Sequence, residues 1–197
     1  MCIRDSAYAE LTESYELAGV AEATANRGFV HVYVRRRDTL TFECVDVAGE
    51  EPCVAVRLQV MSSGESSRRS LVLLAVHLPA GDCPEERRRI LARCVGKLSE
   101  EDGEKLVLLG DMNVNKEAEV VALCEDMALK DARYAGFSWG RKGNRFFADL
   151  SYAGPGLRKD RVLFGKKVWA QAHLVGQCEQ FFDCLLYTSD AADELRS

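Results

Sequence analysis

The period of polar and apolar positions changes several times along the chain. Residues 7–27 mix the two classes with a weak helical spacing. GFVHVYVRR then alternates, with Val30, Val32 and Val34 on one face and Phe29, His31 and Tyr33 on the other, which predicts a strand. TLTFECVDV alternates through Leu40, Phe42 and Cys44, and CVAVRLQV through Val54, Val56, Leu58 and Val60. MSSGESSRR reads as a hairpin-type loop. SLVLLAVHL is continuously apolar, as in a strand buried on both faces.

PEERRRILARCVGKL changes to helical spacing. Pro84 suits a first turn, and Ile90, Leu91, Cys94, Val95 and Leu98 form an apolar stripe. Arg87, Arg88, Arg89, Arg93 and Lys97 fall largely on other faces, as a solvated surface or a nucleic-acid contact. The Asp-Gly of SEEDGEK turns the chain into a strand, KLVLLG. A second helix is expected near Lys116 to Met127. The Gly- and aromatic-rich loop AGFSWGRKGNRFF follows, then strands at DRVLF and KKVWAQAHLV. Strands in meander, then strand–helix–strand–helix, then strands again predict one mixed α and β domain, mostly antiparallel.

The two ends have a different origin. MCIRDS can be encoded by ATGTGTATAAGAGACAG plus one base. The reverse complement, CTGTCTCTTATACACAT, read from its second base, encodes Cys-Leu-Leu-Tyr-Thr, the residues at Cys184 to Thr188. Both ends can therefore be encoded by one DNA element in opposite orientations. It matches the transposon end used in sequencing-library preparation, with SDAADE matching the adapter beyond. The alternative is a native tail carrying Tyr187, Thr188 and Asp190. The expectation is that residues 1–6 and 184–197 are translated adapter, which is set aside in reading the fold, and that residues 7–183 are a partial domain.

The 197-residue chain is 47% hydrophobic and 29% charged, as in an ordinary globular protein. Without the ends it keeps 24 of its 26 basic and 27 of its 31 acidic side chains, a net of −3. That balance offers no general attraction to polyanions, so any nucleic-acid contact must be a local patch. No apolar run approaches the ~20 residues of a membrane span. Cys44, Cys53, Cys83, Cys94, Cys124 and Cys178 contain no C-x-x-C pair. They read as small core residues of a reducing compartment, nuclear or cytoplasmic, rather than a zinc site or disulfide framework.

Candidate chemistry starts at Gly110-Asp111-Met112-Asn113, which ends an apolar strand in two polar groups. In extended chain Asp111 and Asn113 would point the same way. A carboxylate that orients water and an amide that donates to a phosphoryl oxygen suit phosphate-ester hydrolysis. The alternative is a turn capping the next helix. His77 ends the preceding buried strand, either as a structural residue or as an acid toward a leaving oxygen. Asp160 opens a third strand. There it could hold a histidine in one tautomer or pair with Arg158 or Arg161.

VHL, then LLGDMN, then FSW, then LRKDRVLF, in that order, resembles the endonuclease/exonuclease/phosphatase superfamily, most of all its type 2 tyrosyl-DNA phosphodiesterase branch. The likeness covers nearly all of residues 7–183. It implies an α+β fold: a two-sheet β-sandwich flanked by helices, the four-layer deoxyribonuclease-I-like architecture, here incomplete at both ends. It implies a Mg²⁺ (or Mn²⁺) cofactor and a phosphodiester substrate, of the DNA-end (5′-phosphotyrosyl) type. Asp111 and Asn113 would sit at the attacking water and the phosphate, and His77 at the scissile phosphate. Asp160 would orient a catalytic histidine, Trp139 would line the substrate groove, and Arg158 would approach the phosphate chain. A lipid or sugar phosphodiesterase of the same fold, or a catalytically silent interaction module, are the alternatives.

Two parts of the family pattern are missing. Its metal-ligand Glu belongs upstream of residue 7, and Glu10, Glu13 and Glu16 lie in a helix-like stretch instead. Its closing S-D-H belongs downstream of DRVLF, but Ala191 follows the Ser-Asp of YTSDAA. This chain is therefore expected to be inactive and, with sheet edges exposed, poorly soluble. Sequencing the source transcript across both junctions is expected to replace residues 1–6 and 184–197 with other codons, and it shows whether a Glu lies upstream and an S-D-H downstream. Uninterrupted genomic coding of both ends would refute this.

Overall fold

The structure is a computed structural model and describes residues 13–22, 29–47, 52–61, 68–133 and 157–170. Strands β1 (Tyr15–Glu22) and β2 (Phe29–Arg35) pair antiparallel as a two-stranded sheet. The larger sheet contains β3 (Leu40–Val45), β4 (Cys53–Met61), β5 (Arg68–His77), β6 (Leu106–Asp111), β7 (Lys130–Asp131) and β8 (Asp160–Phe164). Its order is β3-β4-β5-β6-β8-β7. Only β5 and β6 run parallel, joined through α1 (Pro84–Gly96) and α2 (Glu100–Glu104). Helix α3 (Glu117–Met127) follows β6. The α+β sandwich expected from the sequence is the observed architecture.

Alternation along the strands builds two cores. Val54 and Val56 of β4 and Ala75 of β5 face the small sheet, where they meet Ala18, Val32 and Val34. Cys53 and Ala55, with Val72, Leu74 and Val76, face the other way and meet Ile90, Leu91 and Cys94 of α1 and Val120 and Leu123 of α3. β5 is thus apolar from Leu71 to Val76 because both of its faces pack against other layers there. The described residues fill three layers, helix–sheet–sheet. A helical fourth layer over the outer face of the small sheet is not among them.

Four local expectations are corrected. The helix-like reading of residues 7–27 fails over Tyr15–Glu22, which is strand β1. A bulge between Leu17 and Gly19 resets the alternation. Ala18 and Ala21, three apart, therefore both pack inward, while Leu17 and Val20 are both exposed. That spacing of three imitates a helix. Glu16 accordingly lies in a strand, half exposed and paired with Arg36 at 3.4 Å. SEEDGEK contains helix α2 rather than a turn, because the Ser99 hydroxyl accepts from the Asp102 amide and three acidic residues occupy the first turn.

Arg87 does not lie on a solvated face. It is 2% exposed on the side of α1 that bears Ile90 and Leu91. Lastly, the described part of KKVWAQAHLV is no strand: Lys166 and Lys167 form a turn, and Val168 and Ala170 pack on the Val107–Phe164 cluster. The cysteine reading holds for Cys53 and Cys94, which are buried, whereas Cys44 is exposed; no disulfide forms among the described residues.

Leu74 is fully buried on the helix-facing side of the central strand. Leu74→Ala is expected to cost about 3 kcal/mol through lost burial and an unfilled cavity. Urea unfolding would show this as a lower midpoint at unchanged slope.

Candidate active site

Three of the sequence-predicted site residues come together through strand register. His77 ends β5 opposite Asp111 at the end of β6, and Asp111 lies opposite Asp160 at the start of β8. All three share a face with Ala75, Leu109 and Val162, the side of the large sheet turned away from α1 and α3. The Met112 amide donates to the Lys159 carbonyl at 3.0 Å. Asp111 and Asp160 therefore form the narrow, non-hydrogen-bonded kind of antiparallel pair, with Cα atoms about 4.5 Å apart.

Gly110 makes this row possible. Its φ is +136°, and a Cβ there would overlap the backbone carbonyl oxygen of Val76 on the adjoining strand. A side chain would force β6 away from β5 at the position before Asp111.

Asn113 is placed differently from the extended-chain expectation. Its φ is +50°, left-handed, and its backbone amide donates to Asp111 Oδ1 at 2.8 Å. The chain thus folds into an Asx-type turn directly after β6. Asn113 is 5% exposed, and its Nδ2 donates to the Leu78 carbonyl at 2.8 Å. The Leu78 amide in turn donates to the Asp111 carbonyl at 2.8 Å. These bonds tie the segment after β5 to the segment after β6. Neither Asp111 nor Asn113 caps α3, whose N-cap is Lys116 without a side-chain bond.

Burial pushes the Asp111 carboxyl above its ordinary range, and the Asp160 charge adds to this. The Asn113 amide, His77 and Lys159 oppose it. A carboxylate of raised basicity is a better proton acceptor at neutral pH. The second N–H of the Asn113 amide is a donor for an oxyanion. The His77 backbone amide is fixed to the Pro52 carbonyl at 3.1 Å.

Arg158 and Trp139 do not join this row in what the structure describes. Arg158 lies 3.5 Å from Asp131 and 3.8 Å from Glu117, in an ion cluster with Arg161. Trp139 falls outside the described residues. Sequence reasoning missed the Leu78 carbonyl, Arg87, Glu117 and Glu119. Only Arg87 carried a signal, since it precedes Ile90 by three positions and Leu91 by four and so shares their stripe.

The described residues do not by themselves fit a divalent cation. No group of three or more His, Cys, Asp or Glu side chains among them converges on one point. Asp111 prefers its proton more than an ordinary carboxyl, and Asn113 is committed to Leu78. Among the described residues no helix is long and apolar enough to cross a membrane.

No protein-family model matches this chain, and no curated protein matches it. Solved structures do. D. rerio TDP2, solved with a single-strand DNA product, is similar over 91% of this chain and 76% of that one, at 17% identity and a TM-score of 0.55. A D. rerio TDP2 humanized by 14 mutations is 18% identical over 81% of this chain, with a TM-score of 0.49. A functionally unknown conserved protein from Enterococcus faecalis V583 is 13% identical over 77%, with a TM-score of 0.47. This chain spans 64% and 65% of the latter two, just under two thirds of their length. The likeness to the first shows the fold alone: an α+β, deoxyribonuclease-I-like sandwich.

The raised Asp111 pKa makes a stability prediction. An acid whose folded pKa exceeds its unfolded value stabilises the fold below the unfolded pKa, near 3.8, and loses that contribution as pH rises through the folded value. Asp111→Asn keeps an acceptor for the Asn113 amide and removes the titration. The variant is expected to be more stable than the parent at pH 7 and equal to it near pH 3. Denaturant melts at the two pH values check this, and a less stable variant at pH 7 would contradict it.

Proposed function

We propose that residues 7–183 carry the phosphate-handling half of a metal-dependent phosphodiesterase that acts on DNA ends of the 5′-phosphotyrosyl type. The observation that supports this reading is the in-register row of His77, Asp111 and Asp160, with Asn113 pinned beside it. The order of the sequence motifs supports it independently, and the D. rerio TDP2 neighbour was solved with a single-strand DNA product.

In this reading Asp111 accepts a proton from the attacking water, which its raised basicity suits. The second N–H of Asn113 donates to a phosphoryl oxygen, in a position preorganised by the Leu78 carbonyl. His77 donates toward the phosphate or the leaving oxygen, and Asp160 holds a histidine in one tautomer. Trp139 lines the substrate groove, and Arg158 approaches the phosphate chain. A divalent cation, Mg²⁺ or Mn²⁺, would neutralise charge on the phosphoryl oxygens. The described residues do not complete its ligand set. A nuclear or cytoplasmic setting belongs to the same proposal. The alternative, a silent interaction module on this fold, would need the Glu and S-D-H motifs to be lost in the parent and not merely in this chain, and the presence of His77, Asp111, Asn113 and Asp160 argues against it.

The test is Mg²⁺- and Mn²⁺-dependent cleavage of a 5′-phosphotyrosyl oligonucleotide beside sphingomyelin and an inositol phosphate. This chain is expected to turn over none of them. The gene product read through both adapter-like junctions is expected to cleave the phosphotyrosyl end preferentially, and His77→Ala to abolish that cleavage. Preference for the lipid or the sugar phosphate would overturn the DNA-end reading, and inactivity of the read-through product would favour the silent module.

A further inference from the structure

The first turn of α3 carries two carboxylates, Glu117 and Glu119, and each holds an arginine that is 2% exposed. Glu119 receives Arg87 of α1 as a fork, with Nε to Oε1 at 2.7 Å and Nη2 to Oε2 at 2.9 Å. Nη1 of the same guanidinium donates to the carbonyl oxygens of Pro79 at 3.0 Å and Gly81 at 2.9 Å. Glu117 receives Arg161 of β8 from the other side, with Nη2 to Oε1 at 2.7 Å and Nη1 to Oε2 at 3.3 Å. Asp131 of β7 accepts from the same Nη1 at 3.4 Å.

These contacts converge on the segments that carry the candidate site. Arg87 holds Pro79, Gly81 and Cys83, in the segment directly after His77 and Leu78. Leu78 supplies the carbonyl that fixes Asn113. Arg161 is the residue after Asp160 and lies opposite Gly110. The helix receiving both arginines begins four residues after Asn113. We propose that Glu119–Arg87 and Glu117–Arg161 are positioning pairs, which set the His77 segment and the start of β8 against the Asn113 turn. The proposal rests on reading that row as a phosphate site.

The chemistry favours positioning over stability as the role of these pairs. A buried ion pair pays a large desolvation cost, and a well-packed apolar side chain on the same stripe often stabilises as much or more. A guanidinium fork adds directional bonds to a carboxylate and two carbonyls together, which an apolar side chain lacks. The carboxylates also sit at the positive end of the α3 dipole. Arg161 holds Glu117 below its ordinary range, and Glu119 holds Arg87 above its own.

The experiment is NMR on the full 197-residue chain, reading the Asn113 side-chain amide, the Asp160 carboxyl carbon and the His77 ring. Without ligand, Arg87→Lys and Glu119→Gln are expected to shift the Asn113 amide and speed its exchange about tenfold, because the fork to Glu119 that aims Nη1 at the Pro79 and Gly81 carbonyls is lost. Backbone protection at Val54, Val56 and Ala75 stays unchanged. Glu117→Gln is expected to move the Asp160 carbon and leave Asn113 in place. With inorganic phosphate as probe, Arg87→Lys is expected to bind about threefold more weakly.

Asn113 signals unmoved in both Arg87→Lys and Glu119→Gln would overturn the proposal. So would movement only in step with a general loss of protection, which is what a merely structural pair gives. Should Arg87→Lys not fold, Glu117→Gln on the more exposed pair decides: an unshifted Asp160 carbon overturns it. Failure of phosphate to shift His77 or Asn113 in the parent chain would sink the phosphate-site reading and leave the ligand-free result standing by itself.

Discussion

The close approach of β6 to β5 is the constraint on which the rest depends. The two strands run parallel through the centre of the sheet, from Val72 opposite Leu106 to His77 opposite Asp111. Parallel strands need a crossover, here α1 and α2, and the crossover covers one face. The ladder ends where Gly110 lets β6 pass against the Val76 carbonyl without a Cβ between them. Without that contact His77 and Asp111 would not be neighbours, and the Leu78 amide would not reach the Asp111 carbonyl. The two segments that leave the ladder, one carrying Leu78 and one carrying Asn113, are then fastened to each other through the Asn113 side-chain amide and the Leu78 carbonyl.

Around this centre, charge is buried in places where only apolar contact would be anticipated. Arg87 and Arg161 each give up water for a carboxylate on the first turn of α3. Two pairs bridge three elements, so α3 joins the crossover helix on one side and β8 on the other. The Asp111 carboxyl is half-buried beside Asp160, which disfavours its charge and is a cost in stability and an advantage in basicity. Both features concentrate at one end of the sheet. The opposite end carries no comparable network among the described residues beyond Arg57, held by Asp102 and Glu43.

Most of the strands, the two longer helices and the candidate residues at strand ends were legible because each rests on a local rule. SLVLLAVHL and KLVLLG are apolar runs ended by a polar residue, and the end of such a run marks where a strand leaves the core. The failures have equally specific causes. Tyr15–Glu22 read as helical because one bulge turned a period of two into a spacing of three. Glu100–Glu104 read as a turn because Asp-Gly outweighed the Ser99 cap. Arg87 read as a surface residue because residue type was weighed above its position on the stripe of Ile90 and Leu91.

The sequence by itself determined which segments pair or coil, that one face of each is apolar, and that Gly110, Asp111, Asn113, His77 and Asp160 sit at the ends of buried strands. Those properties follow from periodicity and chain chemistry, which act over a few residues. Only the tertiary structure decided that His77, Asp111 and Asp160 share one register row, since register is set by the crossover and by Gly110 against Val76. It also decided that Asn113 turns left-handed to reach Leu78, and that Glu117 and Glu119 find arginines from distant elements. Those partners lie 30 to 45 residues apart in the chain. No pattern within a single strand or helix encodes a pairing over that distance.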